Sequence, residues 1–415
     1  MENKKLKVGN FPPLRFPGFE GEWGTKKLGE ITSWSSGGTP SKDNPLFWNG
    51  DIPWISASTM RGHIYSDSEL KITQAGLKKG SRLASKGSLL ILVRGSMLFN
   101  KIPIGIASRD VAFNQDVKSI VVSDYSTPEY ILNWFLASEA KLLNMVTGTG
   151  IGAGKLDLKD LKELEIKIPS LSEQEKIASF LSLITDRIQT QNKIIEQLET
   201  LIKGLSEKLF SQEIRFKEFK NEWKLKRLRE IGGTFNGLSG KTKDNFGTGK
   251  PYIQYKQIFD SSKIKIGNCG LVRISENENQ NSVRYGDVFF TISSETPNEI
   301  GMSSVLLDEV SEMYLNSFCF GYRPLSSQVL NPLFSSYLFR SSTFRHEIVK
   351  LAQGSTRYNI SKIELMKLTI LLPCLEEQIV IAKLLYSIDT KIETEKNILD
   401  KYESQKQYLL QNLFI

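Results

Sequence analysis

The chain has 415 residues, 24% of them charged and 40% hydrophobic, with a formal net charge of +8 and a sequence pI near 9.1. That is enough chain for more than one domain, with an ordinary globular composition and a modest basic excess that favours an acidic partner such as nucleic acid. No apolar run reaches membrane-spanning length and Met1–Leu6 lacks the apolar stretch of a signal peptide, so no membrane partner and a cytoplasmic setting are expected.

In chain order, Phe16-Pro17-Gly18-Phe19-Glu20-Gly21-Glu22-Trp23 opens the first half. Ser36-Gly37-Gly38-Thr39-Pro40-Ser41 and Trp48-Asn49-Gly50-Asp51-Ile52-Pro53-Trp54-Ile55 come next, punctuated by turn-forming Gly and Pro. Residues 88–94 read as a buried strand ending in Arg94, and 102–107 and 117–122 as further strands, with Asn114-Gln115-Asp116 on a turn between them. A helix is expected over 129–146, then a Gly-rich loop over 147–154 followed by Lys155. In the second half, Asn236 to Lys243 is a polar basic loop, 287–292 a strand, 293–297 a turn and 330–351 mostly helical. Gln353 to Asn359 then holds the place of the earlier Gly-rich loop.

Two stretches organise this order. Ile168-Pro169-Ser170-Leu171-Ser172-Glu173-Gln174 and Leu372-Pro373-Cys374-Leu375-Glu376-Glu377-Gln378 each open a long proline-free run, and the runs close on Leu209-Phe210 and Leu413-Phe414. Proline forbids helix before it, and Ser172 with Glu175 has capping-box spacing, so the first helix is expected to start near Ser172. Glu376 holds the matching place in the second copy. Apolar residues then recur in steps of four and three: Ile177, Leu181, Ile184, Ile188, Ile195, Leu198, Ile202, Leu205 and Leu209. The second set is Ile381, Leu385, Ile388, Ile392, Leu399, Tyr402, Leu409 and Leu413. Such heptad seams argue for a coiled coil. Each helix spans roughly 57 Å at about 1.5 Å per residue. Antiparallel packing would bring the midpoints together, where Gln191 and Glu395 interrupt the seams, and the two are expected to meet and set the register. Lys406, opposite Ile202, is a further exception.

Phe216 to Trp223 repeats Phe16 to Trp23, and Leu28, Glu30 and Ile31 recur as Leu228, Glu230 and Ile231. The chain is therefore a tandem duplication of a globular segment followed by a long helix. The divisions expected are 1–167, 168–211, 212–371 and 372–415. The fold class is α+β: two mixed α/β globular domains and two long helices forming an antiparallel coiled coil, with pseudo-two-fold symmetry. The inserts between the shared parts are not visibly alike, which suggests one scaffold presenting two different readers.

No catalytic residues emerge. Gly148 to Lys155 resembles a phosphate cradle, but Thr149 and Leu156 stand where a P-loop needs Gly and Ser or Thr, and the loop follows a helix instead of a strand. An Asn/Asp-Pro-Pro-aromatic methyltransferase signature, a nuclease cluster of acids with lysine and a Ser/His/Asp arrangement are all missing from the sequence. Cys269, Cys319 and Cys374 read as free thiols, and His63 and His346 are too few for a histidine metal site, so no bound metal is expected. Basic and polar loop residues beside aromatics are the positive signal. These are Thr39, Ser41, Arg94, Lys101, Asn114, Gln115 and Lys155 in the first copy, and Lys241, Lys243, Tyr252, Tyr255, Lys256, Arg357 and Tyr358 in the second. Arg pairs with guanine and Asn or Gln with adenine, while Lys and small hydroxyls hold phosphates. Trp23, Trp54 and Trp223 read as core anchors, and Lys78, Lys79 and Arg82 as a charged face that can lie along a phosphate backbone.

The tandem frame resembles the specificity subunit of type I restriction–modification enzymes. The motifs that carry the resemblance are the two Pro-to-Glu-Gln openings of the long helices, together with Gly38-Thr39-Pro40-Ser41, Asp51-Ile52-Pro53-Trp54-Ile55 and Ala112-Phe113-Asn114-Gln115-Asp116-Val117. The second insert departs from this subtype and looks like a different class of recognition domain. The resemblance implies two target recognition domains, each reading one half of a bipartite site in double-stranded DNA, with the helices fixing the unread gap. It further implies two methyltransferase subunits docked largely on the helices, methylating adenine N6 with S-adenosylmethionine. Motor-nuclease subunits using ATP and Mg would add restriction, and this chain itself would bind no cofactor and catalyse nothing. The competing reading is a coiled-coil adaptor without sequence-specific DNA binding.

Overall fold

The computed structural model describes residues 10–150, 152–354 and 356–415; the Met1–Leu6 start, Ile151 of the Gly-rich loop and Ser355 lie outside the described residues. The chain divides into two units, 1–192 with 398–415, and 193–397. Each unit contains the beginning of one long helix and the end of the other.

The long helices are Leu171–Phe210 and Leu375–Asn412. The first begins where the sequence placed it, near Ser172, but with a different cap. Ser170, not Ser172, is the N-cap: its hydroxyl accepts the Glu173 N–H at 3.3 Å. Within the first unit, Ile177, Leu181 and Ile184 share a core with Leu409, Leu413 and Phe414. In the second, Leu209 and Phe210 share one with Ile381 and Leu385. The beginning of one helix thus packs on the end of the other in both units, so the pairing is antiparallel. Gln191 and Glu395 are 7% and 6% exposed. Neither is a solvent-facing residue, and the Glu395 carboxylate pairs with Lys391 one turn earlier.

The first unit has a sheet of five strands in the order Thr32–Ser36, Val117–Val122, Leu89–Leu92, Ile104–Ala107, Ile64–Tyr65. A second sheet runs Lys71–Ile72, Trp48–Ile55, Val111–Phe113, Arg82–Ala84. Continuous apolar runs such as Leu89–Leu92 are buried on both faces, as central strands should be. The helix expected over 129–146 is two helices, Pro128–Ala137 and Glu139–Asn144, broken at Ser138. The Gly-rich loop is a hairpin in which Thr147–Gly148 pairs with Gly154–Lys155.

The second unit repeats that strand order with one strand fewer in each of the two sheets, despite its dissimilar sequence. One sheet runs Gly232–Asn236, Cys319–Pro324, Val288–Thr291, Ser303–Val305, and the other Gly270–Val272, Phe246–Ile253, Tyr314–Leu315. The expectation of a different domain class therefore does not extend to topology. Hydrogen bonding and packing alternation define the sheet, and many apolar side chains satisfy them equally well. Trp23, Trp54 and Trp223 are buried as core anchors, at 3%, 5% and 7% exposure.

The motif that opens each long helix fastens the helix to its globular unit. Arg15 donates through Nε and Nη2 to the two Glu173 carboxylate oxygens at 2.8 and 2.9 Å, and Arg215 does the same to Glu377 at 2.7 Å for both bonds. The acceptor side chains are only 2% and 1% exposed. Gln174 Oε1 accepts from Ser126 Oγ at 2.7 Å and the Thr127 N–H at 3.2 Å, while its Nε2 donates to the Tyr125 and Pro169 carbonyls. Gln378 repeats this with the Asn331 N–H and the Val329 and Pro373 carbonyls. Thr127 and Asn331 are the N-caps of Pro128–Ala137 and Pro332–Leu338. One amide thus satisfies buried groups from both helix starts.

Truncating Arg215 to Ala strands a buried carboxylate, which costs about 3 kcal/mol. A urea unfolding curve should show that loss in the transition of the second unit. Burial pushes the His63 imidazole below its ordinary value while its Nδ1 lies 2.9 Å from the Ile104 carbonyl. The unfolded chain then binds the proton more readily, so the stability that neutral His63 contributes is full above about pH 6.5 and falls as pH drops below it. Comparing His63→Gln with the parent across pH 5–7.5 should show a flatter stability profile for the variant.

Candidate nucleic-acid interface

Candidate residues of the first unit collect at one end of its five-stranded sheet. At that end Ser36 pairs with Lys118, Leu92 with Val117 and Ile91 with Ile104. The loop carrying Thr39 and Ser41 leaves the sheet here, the Asn114–Asp116 turn enters it, and Lys101 precedes the strand Ile104–Ala107. Thr39 Oγ1 donates to Gln115 Oε1 at 2.7 Å. Val93 N–H donates to the Asp116 carbonyl at 2.8 Å, which brings the next residue, Arg94, beside the turn. Arg94 is in turn the cross-strand neighbour of Lys155. Arg94, Lys101, Gln115 and Lys155 are exposed, and Lys155 Nζ rests 3.1 Å from Asp157. Ser41, also exposed, accepts the Trp48 indole N–H on its carbonyl.

The loop is held by close packing at Gly37, where a Cβ would lie 2.1 Å from the Phe113 carbonyl oxygen. Gly237 has the same relation to the Asn316 carbonyl, also at 2.1 Å. Only glycine lets these backbones approach.

The same end of the second unit gathers another set. Thr291 pairs with Cys319, and Ser293–Ser294 pairs with Tyr358–Asn359, the counterpart of Arg94–Gly95 with Gly154–Lys155. Tyr255 OH donates to the Ser293 carbonyl at 2.7 Å, and burial raises the pKa of its phenol. Arg357 is exposed and Tyr358 half-buried. Lys256 is exposed next to Tyr255 and pairs with Asp260 at 2.8 Å. Lys243 is exposed on the short turn Lys243–Asn245.

Three expected contact residues are engaged elsewhere. Asn114 is buried and builds the turn: its Oδ1 accepts the Asp116 and Val117 N–H groups at 3.1 and 3.0 Å. The Lys241 side chain is 4% exposed and held by Glu278 and by the Arg273 carbonyl. Tyr252 is packed in a small core with Leu238, Val272 and Tyr314. An Asn, a Lys and a Tyr in polar surroundings look alike in sequence whether they face out or in.

Sequence reasoning missed other residues. Lys118 Nζ donates to the Gln115 carbonyl at 2.7 Å. Lys362 contacts the Asn236 side chain across a long sequence separation. Asn316 and Phe318 form the counterpart of the Asn114–Asp116 turn, with Phe318 N–H donating to Asn316 Oδ1 at 2.8 Å. The signal for the last was present: an Asn precedes the strand Cys319–Pro324 as Asn114 precedes Val117–Val122.

Among the described residues no cluster of His, Cys, Asp and Glu could hold a metal ion, and no helix is long and apolar enough to cross a membrane. Burial pushes the Cys319 thiol up to about 12.

Asn114→Ala and Lys241→Ala should each lower stability, by about 1–3 kcal/mol, because they strand buried polar groups. Gln115→Ala should leave stability within about 0.5 kcal/mol of the parent. Thermal denaturation of the three variants separates builders from presenters.

Known proteins share both the sequence pattern and the fold. The specificity subunit of the type I restriction enzyme EcoR124I/EcoR124II of Escherichia coli is 35% identical over 188 residues, covering 45% of each chain. The MjaIX specificity subunit of Methanocaldococcus jannaschii is 29% identical over 62% of this chain and 61% of its own. The matches thus span less than two thirds of these two relatives' lengths. The MjaVIII specificity subunit of the same organism is 25% identical over 94% of this chain and 91% of its own. In fold, the chain resembles the S subunit of a type I restriction–modification system from M. genitalium, with TM-score 0.59, 16% identity and coverage of 98% and 99%. A chain from a structure describing assembly of the type I system gives TM-score 0.57 at 16% identity, with coverage of 97% and 99%. The type I restriction modification DNA specificity domain model matches residues 20–200 and again 220–404, and the chain belongs to that family.

Proposed function

We propose that this chain is the DNA-reading subunit of a type I restriction–modification complex, with one globular unit reading each half of a bipartite site in double-stranded DNA. The observation that carries the reading is the double match to a DNA specificity domain, once per repeat. In each repeat the same sheet end and the same asparagine-built turn present different side chains. In the first unit Gln115 suits adenine and Arg94 guanine, with Thr39, Ser41, Lys101 and Lys155 on phosphates. In the second, Arg357 and Tyr358 lie at the matching place, with Lys256 and Lys243 toward the backbone.

The two long helices act as the spacer that fixes the unread gap, since 40 and 38 residues of continuous helix resist bending. Their outward faces receive two modification subunits, which methylate adenine N6 from S-adenosylmethionine. Motor-nuclease subunits add cleavage driven by ATP with Mg. The chain contributes no group to either reaction. It selects where they occur, and it works in the cytoplasm. No observation on either unit favours the adaptor reading over this one.

The test is a genome-wide map of N6-methyladenine in cells carrying the chain with its modification subunit, beside cells in which residues 232–358 are exchanged for another insert. A bipartite motif in which one half alone changes is the expected result. An unchanged map despite an active complex would sink the reading. In binding assays, Arg94→Ala and Lys155→Ala should differ in kind. Lys155→Ala should weaken all sequences alike and reduce the salt slope by about 0.9, while Arg94→Ala should relax one base pair of the first half-site.

A further inference from the structure

Phe318 is a large apolar side chain left 62% exposed by a turn that is otherwise rigid. Its N–H donates to Asn316 Oδ1, its carbonyl accepts the Ile292 N–H at 3.1 Å, and the Cys319 N–H donates to the Asn316 carbonyl at 3.1 Å. The exposure is therefore built, not the result of a loose loop. The ring lines an open cleft of about 430 Å³ together with Tyr255, Phe259, Glu295, Glu299 and Arg357. Tyr255 stacks on Phe259 with ring centroids 6.2 Å apart, so the two rings with Phe318 give the cleft an aromatic side. The two carboxylates repel a phosphate but can accept a hydrogen bond from a cytosine amino group, and Arg357 can donate to guanine. Ser293 and Ser294 complete the lining, so the cleft pairs an apolar wall with hydrogen-bonding groups, as a base edge requires. Among base edges, the apolar feature in the major groove is the thymine methyl group.

We propose that Phe318 reads the 5-methyl group of a thymine in the half-site of the second unit. The proposal rests on the DNA-reading function above and adds the base and the atom. In the first unit the same turn position holds Asp116, so the counterpart there does not read a methyl group.

The experiment uses the chain assembled with its modification subunits and duplexes carrying the mapped site. Each thymine of the second half-site, on either strand, is replaced in turn by deoxyuridine, which removes the methyl group and nothing else. One replacement should weaken binding by the parent complex about three- to tenfold, the scale of one buried methyl contact. The Phe318→Ala complex should bind the thymine duplex that much more weakly and no longer distinguish thymine from deoxyuridine at that position. Phe318→Leu should retain part of the discrimination, and replacements in the first half-site should affect all three complexes equally. Matching urea midpoints confirm that the variants fold. If the parent complex ignores every replacement in that half-site, or Phe318→Ala discriminates as the parent does, Phe318 is not the reader while the DNA-reading function stands. If the parent complex shows no preference for its site over unrelated DNA, that function fails and this assignment with it.

Discussion

The attachment of each long helix to its globular unit depends on two adjacent side chains in the first helical turn. Glu173 and Glu377 are carboxylates taken almost wholly out of water, and each is neutralised by a bidentate arginine from the segment that opens its repeat. Gln174 and Gln378, one residue on, close the N-terminal end of a core helix. Buried polar groups tolerate little displacement, because every bond lost in a low-dielectric interior is felt in full. The orientation of the helix on its unit is thus fixed by hydrogen-bond geometry as well as by apolar packing. Each unit thus holds the start of its own long helix through the same pair of buried polar side chains.

With the frame held in that way, the exposed end of each sheet is free to differ. Gly37 and Gly237 pin the loop backbone against the sheet, and Asn114 and Asn316 fold the adjacent turn from within. The two residues after the asparagine are Gln115-Asp116 in one unit and Ser317-Phe318 in the other. Both pairs leave the backbone hydrogen bonds of the turn intact. Chemistry at the tip is therefore decoupled from stability of the unit, which is the condition under which new specificities arise by substitution instead of by refolding.

The helices, their antiparallel partnership and the duplication were legible because heptad periodicity and a repeated proline-to-glutamine motif are physical signatures readable without a structure. The strands 117–122 and 288–291 were legible as apolar runs. The shared topology of the two inserts was not, since a sheet demands burial and alternation and leaves residue identity open. The role of the Glu-Gln pair was also hidden, because polar residues at a helix start read as caps, and burial is a property of the assembled unit. For the same reason Asn114, Lys241 and Tyr252 looked like contact residues although burial assigns them to the turn, an ion pair and a core. The exposed Phe318 was overlooked because an aromatic beside a strand defaults to the interior.

The first unit takes Leu409, Leu413 and Phe414 into its core, with the Phe414 ring 5.3 Å from that of Tyr130, and Leu14 N–H donates to the Asn412 carbonyl. During synthesis the ribosome delivers residues 193–397, all of the second unit, before those side chains exist. The unit that begins the chain is therefore the last to close. Until then it presents an apolar surface along Ile177, Leu181 and Ile184. Newly made chains pass through a stage with one finished unit and one open core, in which chaperone capture or exchange of helices between neighbouring chains competes with intramolecular closure.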